Sequence, residues 1–142
     1  MHDIFSFCYN LTSINVSSFD SSKVSDMTGM FYHCYDLKYL NLSNFNTSST
    51  TKVLGMFDGT KNLIYLNIYY FKFNDSIEKD NIFLDTRSKI CINKDTTRTL
   101  LSSGYTNIFN CDDSCFKKED IKIDLKNNAC AVNCNVIDYK YE

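Results

Sequence analysis

The sequence predicts an α/β repeat fold: three short strands with helical turns between them, stacked side by side, then a small, mainly β, disulfide-rich segment. Two observations carry that reading. The first is a gapless period of 26 across the first 76 residues. Phe5, Phe31 and Phe57 open three units, and Leu11/Leu37/Leu63, Ile14/Leu40/Leu66, Asn15/Asn41/Asn67, Val16/Leu42/Ile68 and Phe19/Phe45/Phe71 follow in register. The second is a change of pattern. The repeat fades near residue 76, and five of the seven cysteines lie at Cys91 or beyond. Two modules follow, 1–76 and 77–142, the second expected to be truncated.

Within a unit, the elements come from side-chain spacing. In Leu37-Lys-Tyr-Leu40-Asn-Leu42, Leu40 and Leu42 alternate with polar neighbours and point one way from a short strand. Leu37 and Phe45 turn in from the flanking corners. Asn46-Thr-Ser-Ser-Thr makes a polar loop. Met27, Met30, Phe31 and Cys34 fall at i, i+3, i+4 and i+7, one stripe of a short helix, which Ser25 or Asp26 would cap. No unit can bury its apolar side alone, so neighbours must stack. A period between 20 and 29 written L-x-x-L-x-L is the signature of a leucine-rich-repeat solenoid.

Longer stretches narrow the resemblance. Met30-Phe-Tyr-His-Cys-Tyr-Asp-Leu-Lys-Tyr-Leu-Asn-Leu-Ser-Asn-Phe-Asn-Thr-Ser and Asn15-Val-Ser-Ser-Phe-Asp-Ser-Ser-Lys-Val-Ser-Asp-Met resemble the BspA-like leucine-rich repeats of surface proteins in mucosal bacteria and parasitic protists. The resemblance covers about half the chain, and it implies an extracellular adhesion or host-contact protein. After Phe71 the pattern departs, with Lys72-Phe-Asn-Asp-Ser-Ile-Glu-Lys in place of the usual loop. That departure reads as the end of the array, where capping units deviate.

Beyond residue 76, Asn81-Ile-Phe-Leu-Asp and Lys89-Ile-Cys-Ile-Asn read as a hairpin. Asp95 caps a helix over 96–103 that stops at Gly104. Ile121-Lys-Ile-Asp-Leu125 alternates, then turns at Asn127-Asn128 into Ala129-Cys-Ala-Val. Some 65 residues with little continuous core are where disulfides are usually needed. Spacing leaves the connectivity open, since five cysteines with one left over allow fifteen arrangements. The segment also resembles the cysteine-containing stretch that follows the repeats in protist BspA-like proteins. That likeness implies Cys91 with Cys111 and Cys115 with Cys130, leaving Cys134 over. Each bridge, closing about 15–20 residues, would contribute roughly 3 kcal/mol. A four-cysteine zinc site on Cys111, Cys115, Cys130 and Cys134 is the rival, disfavoured by its C-x-x-x-C spacing.

Composition excludes several functional classes. Formal net charge is −2, spread evenly over both modules, and no basic face suggests nucleic acid. Four glycines form no phosphate loop. The histidines are only His2 and His33, and His33 beside Cys34 cannot share a helix face with it, so no Cys–His dyad is expected. Asp112-Asp113 and Glu119-Asp120 lack phased partners. Cys8 and Cys34 occupy an apolar position held by Thr60 in the third unit, as small buried residues do. A non-enzyme without cofactor or metal is expected.

The expected ligand-binding face is the outward side of the strands: Tyr39, Asn41, Tyr65, Asn67 and Tyr69. Tyr supplies area and a hydroxyl for a host or matrix protein or glycan, while the alternative is that the Asn ladder merely bonds strand to strand. Asn46 and Asn74 are the favoured glycosylation acceptors among five sequons. The start inside a helical half-unit reads as a piece of a longer secreted or anchored protein. Taken as complete it would be cytoplasmic, since no signal peptide or apolar run of membrane length is present. The rival function is an intracellular repeat scaffold or effector with reduced or zinc-bound cysteines.

Overall fold

The alternation around Leu40, Leu66 and Ile90 produces a sheet. The computed structural model describes residues 1–73, 76–86 and 88–92, with strand backbone at 108–110, 123–124 and 129–130. Strands β1 (Tyr39–Asn41), β2 (Tyr65–Asn67), β3 (Lys89–Ile92) and β4 (Ile108–Asn110) lie parallel in that order. Leu40 pairs with Leu66 and Leu66 with Ile90, and all three are buried. Parallel neighbours need a crossover of a dozen or more residues, and the loop and turns of each unit supply it. A separate antiparallel pair joins β5 (Ile123–Asp124) to β6 (Ala129–Cys130).

The apolar stripe expected as a helix is a ribbon of turns instead. Met27, Met30, Phe31 and Cys34 are all fully buried, but their backbone follows a different plan. Alternate amides donate to the next unit: Met27 N to Lys52 O (2.9 Å), Gly29 N to Leu54 O (2.9 Å), Phe31 N to Met56 O (2.9 Å) and His33 N to Asp58 O (2.8 Å). The amides between them close tight turns, Met30 N to Met27 O, Tyr32 N to Gly29 O and Cys34 N to Phe31 O. The pattern recurs one unit later, from Val53 N to Glu78 O (2.8 Å) through Gly59 N to Leu84 O (2.8 Å).

This geometry requires positive φ at every fourth residue. Asp3, Gly29, Gly55 and Asn81 occupy one such column, and Phe7, His33, Gly59 and Asp85 the other. Gly, Asn and Asp tolerate this region best, and a left-handed residue is incompatible with a continuing α-helix. A helix would keep every hydrogen bond within one unit. The ribbon spends half of them on the neighbour, so both walls of the stack are held by backbone bonding between units.

Aromatic rings fill the space between the walls. Phe5, Phe31, Phe57 and Phe83 form one column, with near-parallel neighbours 5.4, 6.0 and 5.7 Å apart, and Phe45 stacks on Phe71 at 6.5 Å. Each fully buried side chain of this size contributes about 1.5–3 kcal/mol.

The stack does not stop at residue 76, where the sequence repeat fades. Glu78 pairs in register with Lys52, which pairs with Asp26. Ile77, Ile82, Phe83 and Ile90 join the same core. Residues 81–85 are a fourth set of turns, and β3 pairs with β2, so the expected 81–93 hairpin does not form. Strand β3, which belongs to the fourth unit, comes two residues early, since Leu66 pairs with Ile90. Glu78, Phe83 and Thr86 keep the 26-residue spacing, so the shortening displaces only this unit's strand from a strict comparison.

Candidate functional site

The structure opens one end of the expected strand face and a second surface, on the turns. On the strand face, Tyr39 (48% exposed) and Asn41 are open. Asn67 is completely buried and Tyr69 is buried as well. Tyr65 is half-buried, its hydroxyl lies out of solvent, and burial pushes its phenol up. The expected ligand face is thus open at one end only: Asn67 offers no accessible surface and Tyr69 8%. The Asn column has another task. Asn15, Asn41 and Asn67 each accept, through Oδ1, the amide two residues on (Ser17, Ser43 and Tyr69, each 3.0 Å). These are Asx turns that end the strand segment, so each of those oxygens spends one acceptor site on its own turn.

The turn face is where aromatic rings stand open. Phe7 (52% exposed) and Tyr9 (47%) are joined by half-buried Tyr32, His33 and Tyr35. Phe7 meets Tyr32 edge-on at 5.2 Å, Tyr9 stacks on Tyr35 at 5.1 Å, and Lys61 Nζ sits 5.4 Å over Tyr35. The strict backbone plan of the ribbon positions them: residues between the buried ones point out, and units in register bring 7 beside 33 and 9 beside 35. Sequence reasoning missed this face because it assumed a helix. The available signal was the outward aromatic at these two columns in units one and two.

Beside the rings runs an open groove of about 510 Å³ that crosses four units. Its lining includes Asp3 and Phe7 from the first, Tyr32 from the second, Gly55 and Asp58 from the third, and Asp80 from the fourth. Burial pushes the Asp58 carboxyl above its usual range; His33 pulls it down and Asp85 pushes it further up. His2 Nε2 lies 2.8 Å from Asp3 Oδ2 and Nδ1 lies 3.4 Å from Asp26 Oδ2.

No nucleophile and base converge around Cys34. His33 Nδ1 is 2.6 Å from Tyr35 Oη, whereas Cys34 Sγ points into the core and donates to Phe5 O at 3.1 Å. Burial, with Cys8 adding to it, pushes the Cys34 thiol up to about 11, although the Cys8 backbone N–H opposes the rise. Thr86 Oγ1 donates to Phe57 O in the same way at 2.6 Å, so cysteine and threonine can both serve in this column. Exposed Cys8 should therefore alkylate at pH 8 in the folded protein, and Cys34 only after unfolding, as peptide mass mapping would show. Stability linked to Cys34 is constant below its unfolded value of 9.0 and falls as pH rises from there through about 11. Denaturation of Cys34→Thr, which keeps the bond to Phe5, should lack that component.

Asn46 is exposed, with its Oδ1 accepting Ser48 N at 3.0 Å, while Asn74 lies outside the described residues. So do the side chains of Cys91, Cys111, Cys115, Cys130 and Cys134, and with them the disulfide pairing; the helix expected over 96–103 lies outside them too. Among the described residues, no helix is long and apolar enough to cross a membrane, and no three His, Cys, Asp or Glu side chains are grouped to hold a metal.

Strands β1 and β2 pair in parallel, in register 26 residues apart. The profile of the family described as Mycoplasma protein of unknown function, DUF285, matches residues 1–102, and the chain belongs to that family. The match extends past residue 76, as the stacking does. No curated protein and no solved structure matches the chain.

Proposed function

We propose that this chain is a non-enzymatic binding module of a cell-surface protein, a BspA-like leucine-rich-repeat solenoid whose turn face contacts a host or matrix protein or glycan. The observation that carries the reading is the open aromatic cluster of Phe7, Tyr9, Tyr32, His33 and Tyr35 on a rigid ladder. Rigid aromatic side chains with a polar tip bring contact area at low entropic cost and dominate interface energetics. The 26-residue motif supports the repeat type, and the cysteine content of the tail supports an extracellular, disulfide-bearing segment.

Adhesion of the full chain to immobilised matrix proteins and to epithelial cells tests this. The double variant Phe7→Ser/Tyr9→Ser is expected to lose about tenfold or more in affinity. Tyr39→Ser, on the strand face, is expected to stay within about twofold. Loss confined to Tyr39→Ser would return the site to the strand face, and no adhesion by the parent chain would remove the reading.

A further inference from the structure

The lining of the groove beside the aromatic cluster is acidic. Asp3, Asp58 and Asp80 line it, and neither lysine nor arginine does. The only basic group in the lining is His2, and its imidazole already lies between Asp3 and Asp26. Outside the lining, Lys52 pairs with Glu78 at 3.3 Å and Lys61 sits over Tyr35, while Lys79 precedes Asp80 in the chain. Apolar contact comes from Phe7 and from Tyr32, whose rings meet edge to face at 5.2 Å. Anionic carboxylates beside open aromatic rings favour a cation, since the ring faces and the carboxylates both attract positive charge.

Resting on the binding-module reading above, we infer that this groove takes an arginine-bearing extended segment of the partner protein. Guanidinium suits the site better than ammonium, because it stacks on aromatic rings and can engage a carboxylate through two parallel N–H donors. Length agrees. Neighbouring paired chains lie about 4.8 Å apart, so four units span roughly 14 Å, which about four extended residues cover. A neutral glycan finds the rings but gives the three carboxylates no counter-charge. An anionic one meets repulsion.

The test is calorimetric titration of the full chain with acetyl-Gly-Arg-Gly-Arg-Gly-amide, its glutamate counterpart, and a neutral chitin tetrasaccharide. The arginine peptide is expected to bind, to weaken as salt is raised, and to lose about tenfold in affinity in the Asp58→Asn/Asp80→Asn variant. Both positions are at least partly exposed, and an unchanged thermal midpoint would confirm that the variant folds. Equal binding of the glutamate peptide, or binding of the tetrasaccharide in place of the arginine peptide, would overturn the inference. So would an affinity unchanged in the folded variant. An adhesive chain that ignores the arginine peptide would overturn this inference while leaving the binding module standing; a chain that adheres to nothing would remove the module itself.

Discussion

Phe57→Ala is expected to lower the unfolding free energy by about 3–5 kcal/mol. Phe57 is completely buried, with Phe31 at 6.0 Å on one side and Phe83 at 5.7 Å on the other. Removing the ring leaves a cavity in the middle of the column, and the backbone ladder through Phe57 N and Ile82 O resists collapse into it. Small domains hold roughly 5–15 kcal/mol in total, so much of the stability rides on this ring. Phe5→Ala should cost distinctly less, because Phe5 is only half-buried at the end of the column. Urea denaturation of both variants checks the order, and equal costs would mean that the rings do not act as a column.

Gly59→Ala is expected to cost about 1 kcal/mol more than Gly55→Ala. Both glycines have positive φ, +71° and +54°, and a side chain there costs about 1–2 kcal/mol in each case. Space separates them. A methyl group on Gly55 meets nothing closer than 3.8 Å, whereas on Gly59 it falls 2.8 Å from His33 Cδ2. Moving the His33 ring disturbs its 2.6 Å bond to Tyr35 and the aromatic surface around it. Gly59→Ala should therefore disturb the aromatic cluster as well as stability, whereas Gly55→Ala leaves the His33–Tyr35 bond in place. Equal thermal midpoints would remove the steric part of this account.

Much of the core was legible in the sequence, because burial follows period. Leu37, Leu40, Leu42, Phe45, Leu63, Leu66, Ile68 and Phe71, all expected to face inward, are buried to within 2%. The wall opposite the strands was misread, because i, i+3, i+4, i+7 is also the spacing of inward residues in a ribbon of consecutive turns. Gly29, Gly55 and Asn81, residues that suit positive φ, were the available correction. The strand of the fourth unit was displaced by a two-residue shortening before Ile90, while Phe83 and Thr86 kept the period. The closure of Asn67 and Tyr69 left no periodic trace, since their counterparts Asn41 and Ser43 stay at least partly open. The aromatic site was visible only as outward residues on an element given the wrong geometry.

The most direct measurement of which face binds is backbone amide NMR of the full chain, followed through titration with an adhesive partner. Shifts gathered at Phe7, Tyr32, His33, Asp58 and Asn81, with Tyr39 and Asn41 still, are what a turn-face binding module predicts. Shifts gathered at Tyr39 and Asn41, with the turn-face amides unmoved, would contradict it.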